Sequence, residues 1–235
     1  MPPSIKLWPA ASLALLASLT FVPARAALAA EDRESILRRL DAASARFQTT
    51  AADFEFDTVQ TDPIPDKDTQ KGRVYFERKG VNFQMAVHQT EYNSRPVAKI
   101  YGRFGGTFKM FDPKLNEVTT SKKFDKYESF LMLGFGASGR ELAEKWEIRY
   151  LGSEVLDRVR TEKLELVAKD PDVRKLFPVI VAWIDLERGV SLKLHLDEGS
   201  GTYRDCFYFN IKVNQLLPAD AFVLKTDKQT TIVSR

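Results

Sequence analysis

From Asp53 onward the hydrophobic pattern has a period of two, and this alternation limits the possible folds more than any other feature of the chain. In Asp53–Gln60, Phe54, Phe56 and Thr58 fall on one side while Asp53, Glu55 and Asp57 fall on the other. Successive side chains of a strand point to opposite faces, so such a row builds a sheet with one apolar and one solvated face. Gly72–Arg78 repeats the pattern, with Val74 and Phe76 opposite Arg73, Tyr75 and Glu77. Phe83, Met85 and Val87 continue it, as do Phe108 and Met110 after the Gly105-Gly106 turn. Asp112-Pro113-Lys114 marks a turn, and Glu117–Lys122 reads as a further strand. Later come Glu147–Gly152, Thr161–Lys169, Pro178–Leu186, Ser191–Asp197 and Asp205–Val213. In the last two, Leu192, Leu194 and Leu196, then Phe207, Phe209, Ile211 and Val213, form one-sided rows, with Lys193, His195, Tyr208 and Lys212 opposite. About ten one-sided strands joined by short turns predict an antiparallel sheet, and a sheet of that size curls. The expected class is therefore mainly β (α+β): a curved antiparallel sheet or open barrel, partly covered by helices.

Two stretches break the alternation. Glu31–Gln48 places Ile36, Leu40, Ala43 and Phe47 on one stripe, which predicts a helix with a single packing face. Mid-chain, Tyr127–Gly136 carries Phe130, Leu131, Met132, Leu133 and Phe135, too many large apolar groups for a surface connector. Ser138-Gly139-Arg140-Glu141 then has the spacing of a capping box, predicting a helix over Gly139–Trp146. The apolar stretch is either a plug that completes an ordinary core or a lid over an apolar cavity.

The N-terminus bears on compartment. Lys6 precedes the apolar run Ala10–Val22, after which come Pro23 and the small-residue patterns Ala24-Arg25-Ala26 and Ala27-Leu28-Ala29. A bilayer span needs about 20 apolar residues, so residues 1–29 read as a signal peptide, and residues 30–235 as one exported, soluble domain. No cysteine near the cleavage patterns offers a site for an N-terminal lipid. Without the signal the formal charge falls from +3 to +1, a balance that points to no nucleic-acid partner. Cys206 is the only cysteine, which rules out an intramolecular disulfide and a Cys-based zinc site.

No catalytic motif stands out, and no metal or cofactor is expected. His88 and His195 sit among polar neighbours and read as solvated side chains. Cys206 has no His or basic cluster nearby in sequence and reads as an inert thiol. Asp170-Pro171-Asp172 reads as turn chemistry rather than a metal pair. Gly102-Arg103-Phe104-Gly105-Gly106 lacks the ending of a phosphate loop. Lys122, Lys123 and Lys126 read as a solvated face, with a sensor of anionic head groups as the alternative. Arg78 shares the side of Val74 and Phe76, so it is either a buried Arg that needs partners or a strand-end residue where parity has already broken.

In their order these segments resemble the bacterial outer-membrane lipoprotein carrier (LolA-like) family over nearly all of residues 30–235. The signals are an N-terminal helix, Asp53-Phe54-Glu55-Phe56, Gly72-Arg73-Val74-Tyr75-Phe76-Glu77-Arg78 and Phe83-Gln84-Met85. After them come Gly105-Gly106-Thr107 to Phe111-Asp112-Pro113, the apolar insert, Trp183-Ile184-Asp185 and Asn214–Phe222 before a short terminal strand. The chain departs from the carrier in having Lys79-Gly80 where the carrier has Pro-Asn. The resemblance implies an incomplete β-barrel whose apolar cavity takes acyl chains and is closed by helices. It implies a latch at Arg78, bonded to lid carbonyls, with Phe130, Leu131, Met132, Leu133 and Phe135 as lid. The implied cavity lining is Phe54, Phe56, Val74, Phe76, Phe83, Met85, Phe108, Met110, Leu192, Leu194, Leu196, Phe207, Phe209 and Ile211. The implied function is a non-enzymatic, monomeric periplasmic chaperone that shields lipoprotein or lipid acyl chains. Its partners would be an inner-membrane lipoprotein-releasing transporter and an outer-membrane acceptor. A sensor or glycolipid carrier on the same fold, and a filled-core module that binds protein, are the alternatives.

Overall fold

Twelve strands make one curved, open sheet in a computed structural model that describes residues 24–80, 82–121 and 132–234. Helix α1 (Ala24–Arg46) leads into β1 (Thr49–Gln60), β2 (Asp66–Lys79), β3 (Asn82–Tyr92), β4 (Arg95–Phe104), β5 (Thr107–Asp112) and β6 (Glu117–Ser121). A 3-10 turn (Met132–Gly134) and helix α2 (Gly139–Lys145) separate these from β7 (Trp146–Leu156) and β8 (Val159–Ala168). Helix α3 (Pro171–Leu176) precedes β9 (Val179–Asp185), β10 (Val190–Gly199), β11 (Thr202–Val213) and β12 (Thr231–Ser234). The spatial order is β12-β6-β5-β4-β3-β2-β1-β11-β10-β9-β8-β7. Neighbours pair antiparallel except at one edge, where β12 runs parallel to β6.

The alternation accounts for the two faces. On the outer face of β1 and β2, Asp53 pairs with Arg73 (2.9 Å), Glu55 with Lys71 (3.0 Å) and Asp57 with Lys67 (2.8 Å). Cross-strand ion pairs of this kind contribute roughly 0.2–1 kcal/mol each. The inner face carries two apolar clusters. In the first, α1 (through Ile36 and Leu40), α2 (Leu142) and α3 (Val173) pack on β7–β10, against Leu164, Leu166, Ile180 and Ala182. Gly139 permits the close approach of α2 to α1, since a Cβ there would lie 2.0 Å from the Leu37 carbonyl oxygen. The Ser138–Glu141 capping box is present in both directions. The second cluster gathers Phe47, Phe54, Phe76, Phe83 and Phe135 over β1–β3. The helices thus cover the β7–β10 half of the inner face and leave much of the β1–β5 half to other groups.

Three elements differ from the sequence expectation. β4 was not foreseen, because Pro96 and Gly102 interrupt its pattern. A Cβ at position 102 would lie 2.0 Å from the Met85 carbonyl oxygen, so the glycine marks tight strand contact rather than a break. Asp170 is the N-cap of α3, its side chain accepting from the Asp172 and Val173 amides, where the sequence suggested only a turn. Tyr75, expected on the solvated face, is on that face but buried, because the segment after β11 lays Ala221, Leu217 and Phe222 across it and Ala51.

Candidate functional site: a one-ended apolar cavity

The curl of the sheet leaves a cavity of about 670 Å³ beside β1–β5 and β10–β11. Of the lining residues expected from the sequence, Phe54, Phe56, Val74, Met85, Phe108, Leu194 and Leu196 border it. Met110 borders a second hollow that shares Gln70, Tyr101 and Phe108 with the first, so the apolar trough continues along the inner face towards β6. Phe76 and Phe83, expected as lining, do not border it; they back its closed end, packed behind the lining residues Phe54, Val74 and Met85. Phe76 is fully buried, stacked on Phe83 (centroids 5.4 Å apart) and Phe135 (6.2 Å) and tilted against Phe47 (5.6 Å).

Phe207, Phe209 and Leu192 are corrections. Phe207 and Phe209 are 37% and 40% exposed, and Cys206 and Tyr208 line the cavity in their place. The row Phe207/Phe209/Ile211/Val213 is split by a bulge: between Ala51 and Asp53 of β1 the register with β11 slips, and Asn210 takes φ 51°. One inserted residue reverses the faces of everything beyond it. Ile211 and Val213 therefore meet the aromatic cluster while Phe207 and Phe209 point away, though Ile211, also expected as lining, borders a separate hollow and not the cavity. A second slip, between Ser191 and Lys193 of β10, sets Leu192 in a separate hollow with Asp53, Arg73 and Phe209.

Over the closed end lies the described part of the apolar insert. Phe130 and Leu131 are outside the described residues, and Met132 opens the 3-10 turn. Leu133 and Phe135 are 4% and 1% exposed. Ser191 Oγ donates to the Leu133 carbonyl (2.8 Å), Phe135 bridges Val190, and the Gly136 amide donates to the Gly189 carbonyl (2.9 Å). The Gly136 carbonyl accepts from Arg78 Nη2 (2.7 Å) and from Ser44 Oγ (2.8 Å). Arg78 Nη1 also donates to Ser44 O (3.2 Å) and Ser44 Oγ (3.1 Å). Ser44 lies in the last turn of α1, where carbonyls lack helical partners and the helix dipole is negative, so a cation is well placed there. Arg78 joins β2, the end of α1 and the insert through hydrogen bonds to neutral oxygens.

The walls are chemically quiet. Burial pushes the Cys206 thiol up to about 12 and holds the phenols of Tyr101 and Tyr208 well above their usual range. A thiol so disfavoured as thiolate is a poor nucleophile. Neither histidine is freely solvated as expected. His88 Nε2 lies 3.0 Å from the Ala221 carbonyl and edge-on to Tyr75, and His195 Nδ1 is 2.8 Å from Asp205 Oδ1. Among the described residues no group of His, Cys, Asp and Glu is placed to hold a metal ion, and no helix is long and apolar enough to cross a membrane. Lys122, Lys123 and Lys126 fall outside the described residues.

Sequence reasoning missed the open end. The hairpin tips β1–β2 and β10–β11 and helix α3 meet there and bring Lys175, Leu176, Phe177, Glu198 and Arg204 to the rim. The only signal was the basic last turn of α3, an ordinary feature of a helix end.

No family model matches the chain. An uncharacterized protein of Methanocaldococcus jannaschii is 26% identical over 118 residues, half of this chain, and the chain spans about a third of that relative's length. Among solved structures, an uncharacterized conserved protein from Thermus thermophilus has a TM-score of 0.54 at 12% identity, covering 87% of this chain and 99% of its own. MucB in the MucA/MucB complex of Pseudomonas aeruginosa gives 0.51 at 12% identity, covering 82% and 61%. A LolA superfamily protein from Nitrosomonas europaea gives 0.41 at 15% identity, covering 82% and 97%. At these identities the likeness is one of fold. The class is a mostly β fold, a curved open sheet with a few helices laid across it, shared with the Thermus thermophilus protein and MucB.

Proposed function

We propose that the protein is a non-enzymatic periplasmic carrier that shields the acyl chains of a lipoprotein or lipid on their way to the outer membrane. The observation that carries this reading is the apolar cavity of about 670 Å³, closed at one end by an aromatic cluster and bolted over by the Leu133–Gly136 segment. Its size is in the ordinary range of small-molecule sites, about 300–1,000 Å³. Each methylene moved from water into such a cavity gains roughly 0.8 kcal/mol, so a long chain gains on the order of ten before ordering costs. A carrier must also let go. In this reading residues 130–135 are the lid and Arg78 is its latch, and breaking the Arg78 and Ser44 bonds to Gly136 offsets part of the binding energy. Residues 1–29 direct export and are removed, and residues 30–235 work as one monomeric domain. An inner-membrane lipoprotein-releasing transporter would load it and an outer-membrane acceptor would unload it.

Fold likeness to MucB, solved in complex with MucA, favours a second reading in which the module binds protein. Native mass spectrometry of the protein purified from its own periplasm, with lipid extraction, separates the two. A co-purifying acylated species supports the carrier. A bare mass, together with failure to take a fluorescent fatty acid, overturns it in favour of the protein-binding module.

A further inference from the structure

The geometry points to an anionic head group as the part of the cargo that stays at the mouth, read by Arg204 and Lys175. This rests on the carrier reading and narrows its substrate class. On β11 the inward positions Tyr208, Cys206 and Arg204 step from the closed end to the open end, and Arg204 stands opposite Leu196 of β10 and Thr58 of β1. An amphiphile whose tail reaches the Phe76–Phe135 end therefore leaves its polar head beside Arg204.

The charge at that rim is unbalanced. The Arg204 guanidinium lies near the rings of Phe56 (5.8 Å) and Phe177 (5.9 Å), within reach of a cation–π attraction. Glu198 Oε1 lies 2.5 Å from Nε, yet Nε makes no aligned hydrogen bond, and the terminal nitrogens bond to no described residue. Those nitrogens are the donors that suit a carboxylate or phosphate in fork geometry. Lys175, exposed on α3, pairs with no described carboxylate, so among the described lining residues two cations stand against one anion. Further along the trough Lys99 is already neutralised by Asp112 (3.1 Å). Among the described lining residues the open end thus keeps one cation in excess, with the terminal nitrogens of Arg204 still unbonded beside it.

The test is competition for a fluorescent fatty-acid analogue by ligands of one chain length: palmitate, monopalmitoyl phosphatidic acid and neutral monopalmitoylglycerol. Wild type should prefer the two anions by about tenfold, the worth of one charge-assisted hydrogen bond, and the preference should shrink as salt is raised. Arg204→Gln should collapse the anion-to-neutral ratio, Lys175→Gln should lower it and Glu198→Gln should raise it. Because the readout is a ratio, a general loosening of the cavity leaves it unmoved. Lys175 is a surface residue, so its variant keeps the test open if Arg204→Gln does not fold. Whichever of palmitate and the phosphatidic acid competes better identifies the head as carboxylate or phosphate. Equal affinity of wild type for charged and neutral ligands overturns this inference alone, as does a ratio that survives in both Arg204→Gln and Lys175→Gln. Failure of every ligand to compete overturns the carrier reading itself.

Discussion

Arg78 is the side chain on which most separate parts converge. Its position is legible from parity, because Val74, Phe76 and Arg78 share one side of β2, but its partners are not. Ser44 and Gly136 lie 34 and 58 residues away in the chain, and nothing local in the sequence ties them to it. Replacing Arg78 by Leu should lower stability by about 1–3 kcal/mol in urea unfolding, the cost of hydrogen bonds to a charged donor and of stranded acceptors. It should also speed exchange of a bound fatty-acid probe. Arg78→Lys should recover only part of either effect, since an ammonium cannot span the two acceptors in the same fork. Unchanged stability and exchange in Arg78→Leu would remove the latch. Gly136 is the other sensitive point: it holds φ +68°, and a Cβ there would lie 2.3 Å from the Phe47 ring. Gly136→Ala should cost at least the roughly 1–2 kcal/mol of a left-handed non-glycine residue, seen as a lower urea midpoint.

Among the elements, strands with an unbroken period of two could be read directly from the sequence. The first apolar row (Phe54, Phe56) and the second (Val74, Phe76) face inward as their alternation requires. β11 could not be read in this way. Its apolar row spans a bulge, and an alternation pattern carries no mark of an inserted residue except the identity of Asn210, a residue type that tolerates positive φ. Half of the row had to face outward, and only pairing with β1 decides which half. The same limit applies to the mouth, where Arg204 comes from β11, Lys175 from α3 and Glu198 from β10. Such a rim has no sequence signature. The element that shapes the closed end is the Leu133–Gly136 segment, held to the start of β10. Ser191→Ala removes the bond to the Leu133 carbonyl inside a buried site and should destabilise by about 1–2 kcal/mol. Hydrogen exchange should rise at residues 133–136 before it rises in β1–β3; uniform protection would show that this segment is no separate unit.

At the scale of the whole molecule, one neutral wall of the cavity couples the fold to alkaline pH. The Cys206 thiol titrates at about 12 when folded and near 8.5 when unfolded, so above pH 9 the unfolded chain holds fewer protons than the native one. Stability present below that range should fall as pH rises towards 12, with Tyr208 adding to the loss above pH 10. In Cys206→Ala the fall in urea midpoint should begin about one pH unit higher; an unchanged onset would show that the thiol is not coupled to folding. The same thiol lines the cavity, so its modification by a thiol reagent at pH 8 should be slow, and slower still when palmitate is bound. The strap beyond β11 has a different consequence, one of timing. It crosses the outer face over Tyr75 and ends as β12 against β6, where Thr230 Oγ1 bonds Asn116 across 114 residues. Until that return is made, the β6 edge presents an unpaired ladder to any other strand. The interval before β12 docks is therefore when this edge of one copy of the chain is open to pairing with another.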